Sequence, residues 1–153
     1  MHPTPSVPER GRRPRLTRTL AALLLLGALT SGCLEQLSTT RIPGGAARNF
    51  FYFLVHNEQA DANTYWAPGH VPTDAQAQIT RAAAALQGYT TEVLNTDAAP
   101  QADGAMIVTL SGYAWRKTDP PAGAVVPLLR ARLIELGPGW RLTEFTLLCC
   151  TGR

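Results

Sequence analysis

Gly88 separates two hydrophobic periods, and their order leaves few folds open. Before it, apolar residues recur every three and four positions. Within Ala46–His56, the residues Ala47, Phe50, Phe51 and Leu54 fall on one helical face. Tyr52 and Phe53 widen that arc, so this helix is expected to be buried on more than one side. Asn57–Trp66 reads as a bent or second short helix that Pro68 and Gly69 terminate. Ala75, Ile79, Ala83 and Leu86 share a face of a third helix. Thr73 and Gln76 are spaced as a capping box at its start, and Gly88 is its expected stop. After Gly88 the runs are rich in Thr, Val, Tyr and Ile, and short polar turns break them. Strands are expected at Tyr89–Thr96, Ala105–Lys117, Ala124–Leu136 and Trp140–Leu148. Pro127 predicts an edge, a bulge or a late start for the third. Connections this short favour antiparallel pairing. The expected fold is α+β: N-terminal helices packed on a curved antiparallel sheet of about four strands, cone-like in outline.

The first 32 residues follow different rules. Arg10, Arg12, Arg13, Arg15 and Arg18 precede the run Leu20–Leu29, LAALLLLGAL. A bilayer-spanning helix needs about 20 apolar residues, and this run has about half as many. A short apolar run behind a basic segment is the pattern of an export signal. The Arg12-Arg13 pair sits before Pro14-Arg15-Leu16, which matches twin-arginine export poorly. An ordinary secretory signal followed by an unrelated cysteine is the plainer alternative.

Charge follows the same division. Of the 14 Lys and Arg residues five precede Cys33, against one of the 11 acidic ones, which leaves nine cationic and ten acidic side chains beyond it. The formal net charge of +3 therefore belongs to the leader. Nucleic-acid binding needs a basic patch on the folded part, so no nucleic-acid partner is expected. With 45% apolar and 16% charged residues, the chain has the material for one packed core.

The segment Leu29-Thr30-Ser31-Gly32-Cys33 resembles the lipobox of bacterial lipoproteins, with small residues before an obligatory Cys. It departs from the usual pattern in having Thr30 three places before the Cys. The resemblance implies diacylglyceryl transfer to Cys33, cleavage between Gly32 and Cys33, and further acylation of the new N-terminus, palmitate included. It divides the chain into a signal peptide over 1–32, a lipidated tether over 33–45 and a domain over 46–153. The partner it implies is a membrane, held through lipid on Cys33 at the cell envelope. Leu34 stands where Asp acts as a retention signal in some groups, which favours the outer membrane over the outer face of the cytoplasmic one. Two or more acyl chains give durable attachment where one does not.

Residues 46–148 resemble the nuclear-transport-factor-2-like superfamily. The likeness rests on the order of three helices and a meander, and on the W-x-L-x-x-F pattern of Trp140, Leu142 and Phe145. It implies a bent sheet around helices with a pocket between them. Members include isomerases, dehydratases, ligand binders and assembly modules, so fold alone leaves function open.

The enzymes of that group use an Asp base or an Asp/His pair. The candidates here are His56, Asp61, His70, Glu92, Glu135 and Glu144, most of them in polar surroundings and expected as solvated charge; Glu135 and Glu144 are positioned to pair with Arg132 and Arg141 across strands. His56, Glu58, Asp61 and His70 fit no metal motif, and neither metal nor cofactor is expected. Tyr52, Tyr65, Trp66, Trp115 and Trp140 are the candidate ligand or partner surface, with Tyr113 a further aromatic; for all six the default role is core packing. Tyr65-Trp66 comes first, because two large rings meet a chain break there. Cys149 and Cys150 are expected as two reduced thiols at a strand end, since adjacent Cα atoms lie closer than a relaxed disulfide allows. The leading expectation is a non-catalytic binding module for a partner protein or an apolar ligand. The alternatives are a small pocket enzyme with isomerase- or hydratase-type acid–base chemistry, and a structural homodimer formed through the open sheet face.

Lipid attachment makes a direct prediction. Intact-mass measurement of the membrane-extracted protein is expected to show a chain beginning at Cys33 with the mass of at least two acyl chains. Cys33→Ser is expected to leave the detergent phase, and recovery of that variant there at full length overturns the assignment.

Overall fold

The computed structural model describes residues 41–119 and 123–150. The expected leader, the expected cleavage point at Gly32 and Cys33, and most of the expected tether lie outside the described residues.

Three helices come first: α1 over Pro43–Val55, α2 over Gln59–Asn63 and α3 over Ala75–Leu86. Four strands follow: β1 over Tyr89–Pro100, β2 over Met106–Arg116, β3 over Val126–Leu136 and β4 over Gly139–Leu147. They form one antiparallel sheet in the order β1-β2-β3-β4, each strand paired with the next. The expected α+β architecture with a four-stranded meander is what the chain adopts.

Side chains alternate across a strand, and this sheet uses the alternation to separate two environments. Val108 and Leu110 of β2, Leu129, Ala131 and Leu133 of β3, and Leu142 of β4 are fully buried in one cluster with the helices. The intervening Thr109, Arg130, Arg132, Glu144 and Thr146 occupy the opposite, open face. On the helices, Phe50, Phe51 and Leu54 of α1 and Ile79 and Leu86 of α3 complete the core. Burying a side chain of this size is worth about 1.5–3 kcal/mol.

Helix α1 begins three residues earlier than expected and takes Pro43-Gly44-Gly45 from the tether. Proline at the first helical position loses nothing, since its missing N–H has no partner there in any helix. The glycines let this end lie against β1. A Cβ on Gly44 would stand 2.7 Å from Thr96 Cγ2. Helix α3 likewise begins at Ala75, behind Asp74, and no side chain caps it. The Gln76 amide instead bonds Asn63 and donates to Gln59 Oε1 at 3.0 Å, joining α2 to α3.

Tyr65 and Trp66, expected to be helical, lie instead in a segment that runs along β4. Ala67 N donates to Leu142 O, and Leu142 N to Tyr65 O, each at 2.7 Å. Trp66 thereby makes one parallel rung on the outer side of β4.

Three bulges shape the sheet. One falls between Val93 and Asn95 of β1, leaving Leu94 as the extra residue; the second sets Ser111 opposite Pro127 and Leu110 opposite Leu129, with Leu128 between; the third sets Arg132 opposite Glu144 and Leu133 opposite Leu142, with Thr143 between. Pro127 thus sits at a bulge in a central strand, one of the three places a proline can occupy. Beside the first bulge β1 crowds β2. A Cβ on Gly112 would lie 1.8 Å from Glu92 O and 3.0 Å from Leu94 N, both backbone atoms.

Gly112→Ala is therefore expected to force the β1 bulge open and to destabilise the fold by about 3 kcal/mol, at the upper end of what overpacking costs. Urea denaturation checks this. A midpoint within experimental error of the parent chain refutes the close approach.

Candidate functional site

The aromatic residues singled out in the sequence do not converge. Tyr65 and Trp66 are each 5% exposed and belong to the core. Tyr65 packs against Phe50 and Phe53 with ring centroids 6.2 and 5.8 Å away, and Trp66 against Phe145 at 5.9 Å. The Trp66 indole Nε1 is buried without a hydrogen-bond partner among the described residues. Placed inward, this pair offers a partner little surface, contrary to the expectation that ranked it first. Trp140 is half-buried against the core at the start of β4. Trp115 is half-buried near the end of β2, in the same side-chain register as Tyr113 and opposite Thr90.

Tyr52 is placed differently. Helix α1 has a second stripe beside its buried one: Arg48, Phe51, Tyr52, Val55 and His56, at spacings of three and four. This stripe faces the edge of the sheet. Thr91 and Val93, alternate residues of β1, form the opposite wall. Between them runs a groove of about 200 Å³. Phe51, Val55 and Val93 make it apolar, and Tyr52, 51% exposed, stands at its rim.

The rim residue is held in place. The His56 ring stacks on Tyr52 with centroids 3.9 Å apart and an angle of 28°, and Phe53 meets Tyr52 edge-on at 5.7 Å. His56 Nδ1 lies 2.9 Å from Tyr52 O, a second tie between the same two residues. Arg48 Nε donates to Thr96 Oγ1 at 2.7 Å, which fixes the guanidinium along β1. The groove thus has an apolar floor, an aromatic lip and one cationic side chain.

Two other depressions are present. One, on the open sheet face among Arg130, Arg132, Glu144 and Thr146, is more polar. The other, of about 270 Å³ between α3 and β4, is also largely apolar: Ala82, Ala85, Phe145 and Leu147 line it, with Gln78 and Arg81 at its rim. Arg132 stands opposite Glu144 in register, yet its ion pair is with Asp103, and Glu135 faces Trp140. The expected cross-strand pairs of Glu135 and Glu144 are thus replaced by a strand-to-turn contact. Arg81 pairs with Asp74 at 3.3 Å. Gln78 donates to the same carboxylate, and that bond, with the guanidinium, holds Asp74 below the usual carboxylate range.

His56, Asp61, His70, Glu92, Glu135 and Glu144 are all exposed. His56, Glu58, Asp61 and His70 do not gather: among the described residues no three His, Cys, Asp or Glu side chains are grouped to hold a metal ion. Nothing in the residue types marks Thr91 and Val93 as groove walls; only their alternation within a strand hints at a shared face.

Compared with known proteins, the chain matches no protein family, no curated protein and no solved structure.

Tyr65 is an interior group whose ionisation bears on stability. Burial pushes its phenol above the ordinary value of 10.0, and hydrogen bonding to Asn49 offsets this only in part. A phenol that ionises less readily when folded favours the folded state equally at every pH below its unfolded value. From the unfolded value upward that state is penalised, because the unfolded chain releases the proton first. Stability is therefore expected to fall above about pH 10 with a slope that Tyr65→Phe reduces. Urea titrations at pH 8 to 11 measure it, and equal slopes for the two proteins refute the burial of that hydroxyl.

Proposed function

We propose that this chain is a lipid-anchored module of the cell envelope, and that it captures a partner protein in the groove between α1 and β1. The carrying observation is where apolar surface remains open. The space between helices and sheet is filled by Phe50, Leu54, Ile79, Leu110, Leu129 and Leu133, all fully buried. Of the two apolar concavities outside it, the one beside α1 carries an exposed aromatic lip, Tyr52, held by the stacked His56 ring. An interior of that kind supports binding at the surface over acid–base chemistry in a central pocket, since catalysis of that type needs a desolvated carboxylate or imidazole beside a cavity.

Size distinguishes the two classes of guest. Small-molecule pockets run to about 300–1,000 Å³, and this groove is smaller. It suits one or two apolar side chains of a protein, with an exposed, preorganised tyrosine of the type that dominates such interfaces. The open sheet face supports a self-association role less well. Its charged side chains are of both signs, whereas stable homodimer interfaces are more apolar than the rest of the surface.

The likeness to the nuclear-transport-factor-2-like superfamily is supported by the element order, three helices followed by a four-stranded meander. The anchored location rests on the lipobox-like leader. From Cys33 to the start of α1 there are few residues, each spanning at most about 3.3–3.6 Å. In this reading the first turn of α1 works within roughly 35 Å of the lipid surface.

A photo-crosslinking amino acid at position 52, in cells expressing the full chain, is expected to give a discrete protein adduct. The same probe in place of Ala77, exposed on α3 and outside the groove, is expected to give none. Val93→Asp, which places a charge in the groove wall, is expected to abolish the adduct. Tyr52→Ala is expected to weaken partner binding by about 2 kcal/mol or more, and to change folding stability by about 1 kcal/mol or less. Identical adducts at positions 52 and 77, or an adduct indifferent to Val93→Asp, overturn the assignment.

A further inference from the structure

The chain leaves the sheet after β4 in an unusual way. Leu148 N donates to Leu128 O at 2.9 Å, the last rung before two cysteines. In a strand that simply continued, adjacent side chains would point to opposite faces. Here Cys150 has φ of 65°, in the left-handed region that residues with a Cβ rarely adopt. The backbone turns, and the two sulfurs come to face each other in direct contact. A backbone held in a sparsely populated conformation points to a functional constraint when it brings reactive groups together.

The two thiols are unequal. Cys149 is 8% exposed and sits in the hydrophobic cluster, whereas Cys150 packs at the edge of that cluster and is partly open. Both are free thiols. A reagent from solution therefore meets Cys150 first, with Cys149 behind it at contact distance. We propose that Cys149 and Cys150 form a thiol–disulfide exchange site that accepts a disulfide oxidant at Cys150 and closes to a bond between the adjacent residues.

The chemistry balances as two exchanges. The Cys150 thiolate attacks one sulfur of an incoming disulfide, R–S–S–R. That bond breaks, and the departing R–S⁻ takes up the proton that Cys150 released. Cys149 then gives up its proton and attacks Cys150 Sγ, expelling the second R–SH. Two cysteine thiols lose two electrons and two protons, and one R–S–S–R becomes two R–SH. The contact between the sulfurs favours this order. A proton on Cys149 stabilises the Cys150 thiolate and pushes that thiol down, while the same neighbour together with burial pushes Cys149 up. Thiolate character decides which cysteine attacks.

Closure between neighbours is not free of strain. Adjacent Cα atoms lie about 3.8 Å apart, below the roughly 4.4–6.8 Å of ordinary disulfides. Bonds formed under such constraint are readily reduced, as regulatory and catalytic disulfides are. The site is thus suited to cycling between its two states. It is independent of the groove, at which neither cysteine is placed.

The test uses the full chain and oxidised glutathione as the probe disulfide. After acid quenching and trypsin digestion, the peptide 142–153 carries both thiols and leaves Cys33 elsewhere. The wild type is expected to lose two hydrogens in that peptide and to retain no glutathione. Cys149→Ser is expected to hold a stable glutathione adduct on Cys150, and Cys150→Ser to react more slowly by about tenfold or more. Circular dichroism checks that each variant is folded. If Cys149→Ser is not, an early adduct on Cys150 in the wild-type time course replaces it. A wild-type peptide that keeps both thiols, retains glutathione or links two chains overturns the proposal. So does an adduct that forms faster on Cys149 than on Cys150.

Discussion

The edge of Phe50 against Phe145 is the contact on which the arrangement of helices and sheet depends. Phe50 is fully buried, its ring meets Phe145 of β4 at 4.9 Å and 64°, and Tyr65 packs against it as well. One side chain of α1 thus touches the last strand and the segment that extends the sheet beyond it. Ring pairs in this geometry contribute about 0.5–1.5 kcal/mol beyond the area they bury. More important is what the contact orients. With Phe50 fixed toward β4, the rotation of α1 about its axis is set. The stripe from Arg48 to His56 must then face β1, at the other edge. The core contact and the groove are two consequences of one helix orientation.

The α-then-β order was legible because it rests on periodicity, which survives without knowledge of any long-range contact. The ends of the elements were less so, for identifiable reasons. Pro43-Gly44-Gly45 has the composition of a tether, and only the close approach of Thr96 explains why glycine belongs in a helix there. Thr73 and Gln76 have capping-box spacing, but the Gln76 amide finds partners on α2, a contact between distant residues that spacing cannot reveal. Tyr65-Trp66 has the look of a site because aromatic rings before a proline often are one. What settles their place is a pair of backbone hydrogen bonds to Leu142, 75 or more residues along the chain. Of the groove, Tyr52 was legible and its opposite wall was not, since strand pairing had to bring Thr91 and Val93 to α1. The adjacency of Cys149 and Cys150 was plain; the turn that faces their sulfurs toward each other was not, because nothing in the residue types announces a positive φ at a cysteine.

Filling the interior and leaving a groove outside it are linked by the size of the side chains on α1. Ala46 and Ala47 let the helix settle onto the sheet, while Phe50, Phe51 and Leu54 occupy the space that a central pocket would need. The helix also carries its glycines where it approaches β1 most closely. Toward its C-terminus, Val55 and His56 are larger. A gap opens there that Phe51 and Val93 floor with apolar surface. The groove is a by-product of close packing at one end of α1 and bulky residues at the other, which is why its shape depends little on loops.

The two edges of the sheet are protected by different means, and the difference bears on which partners the groove can meet. Beyond β4, residues 65–67 cover part of the edge. Beyond β1 no further strand is paired among the described residues. An open edge invites pairing with another chain. Here Leu94 bulges out of the ladder, Pro100 ends the strand, and Glu92 and Asp97 are its charged residues, with no Lys or Arg among Tyr89–Pro100. Two copies of β1 laid antiparallel would bring acid toward acid, which disfavours pairing. The same strand forms a wall of the groove. Its edge chemistry therefore selects against a second copy of this chain beside the groove that Tyr52 and Val93 line.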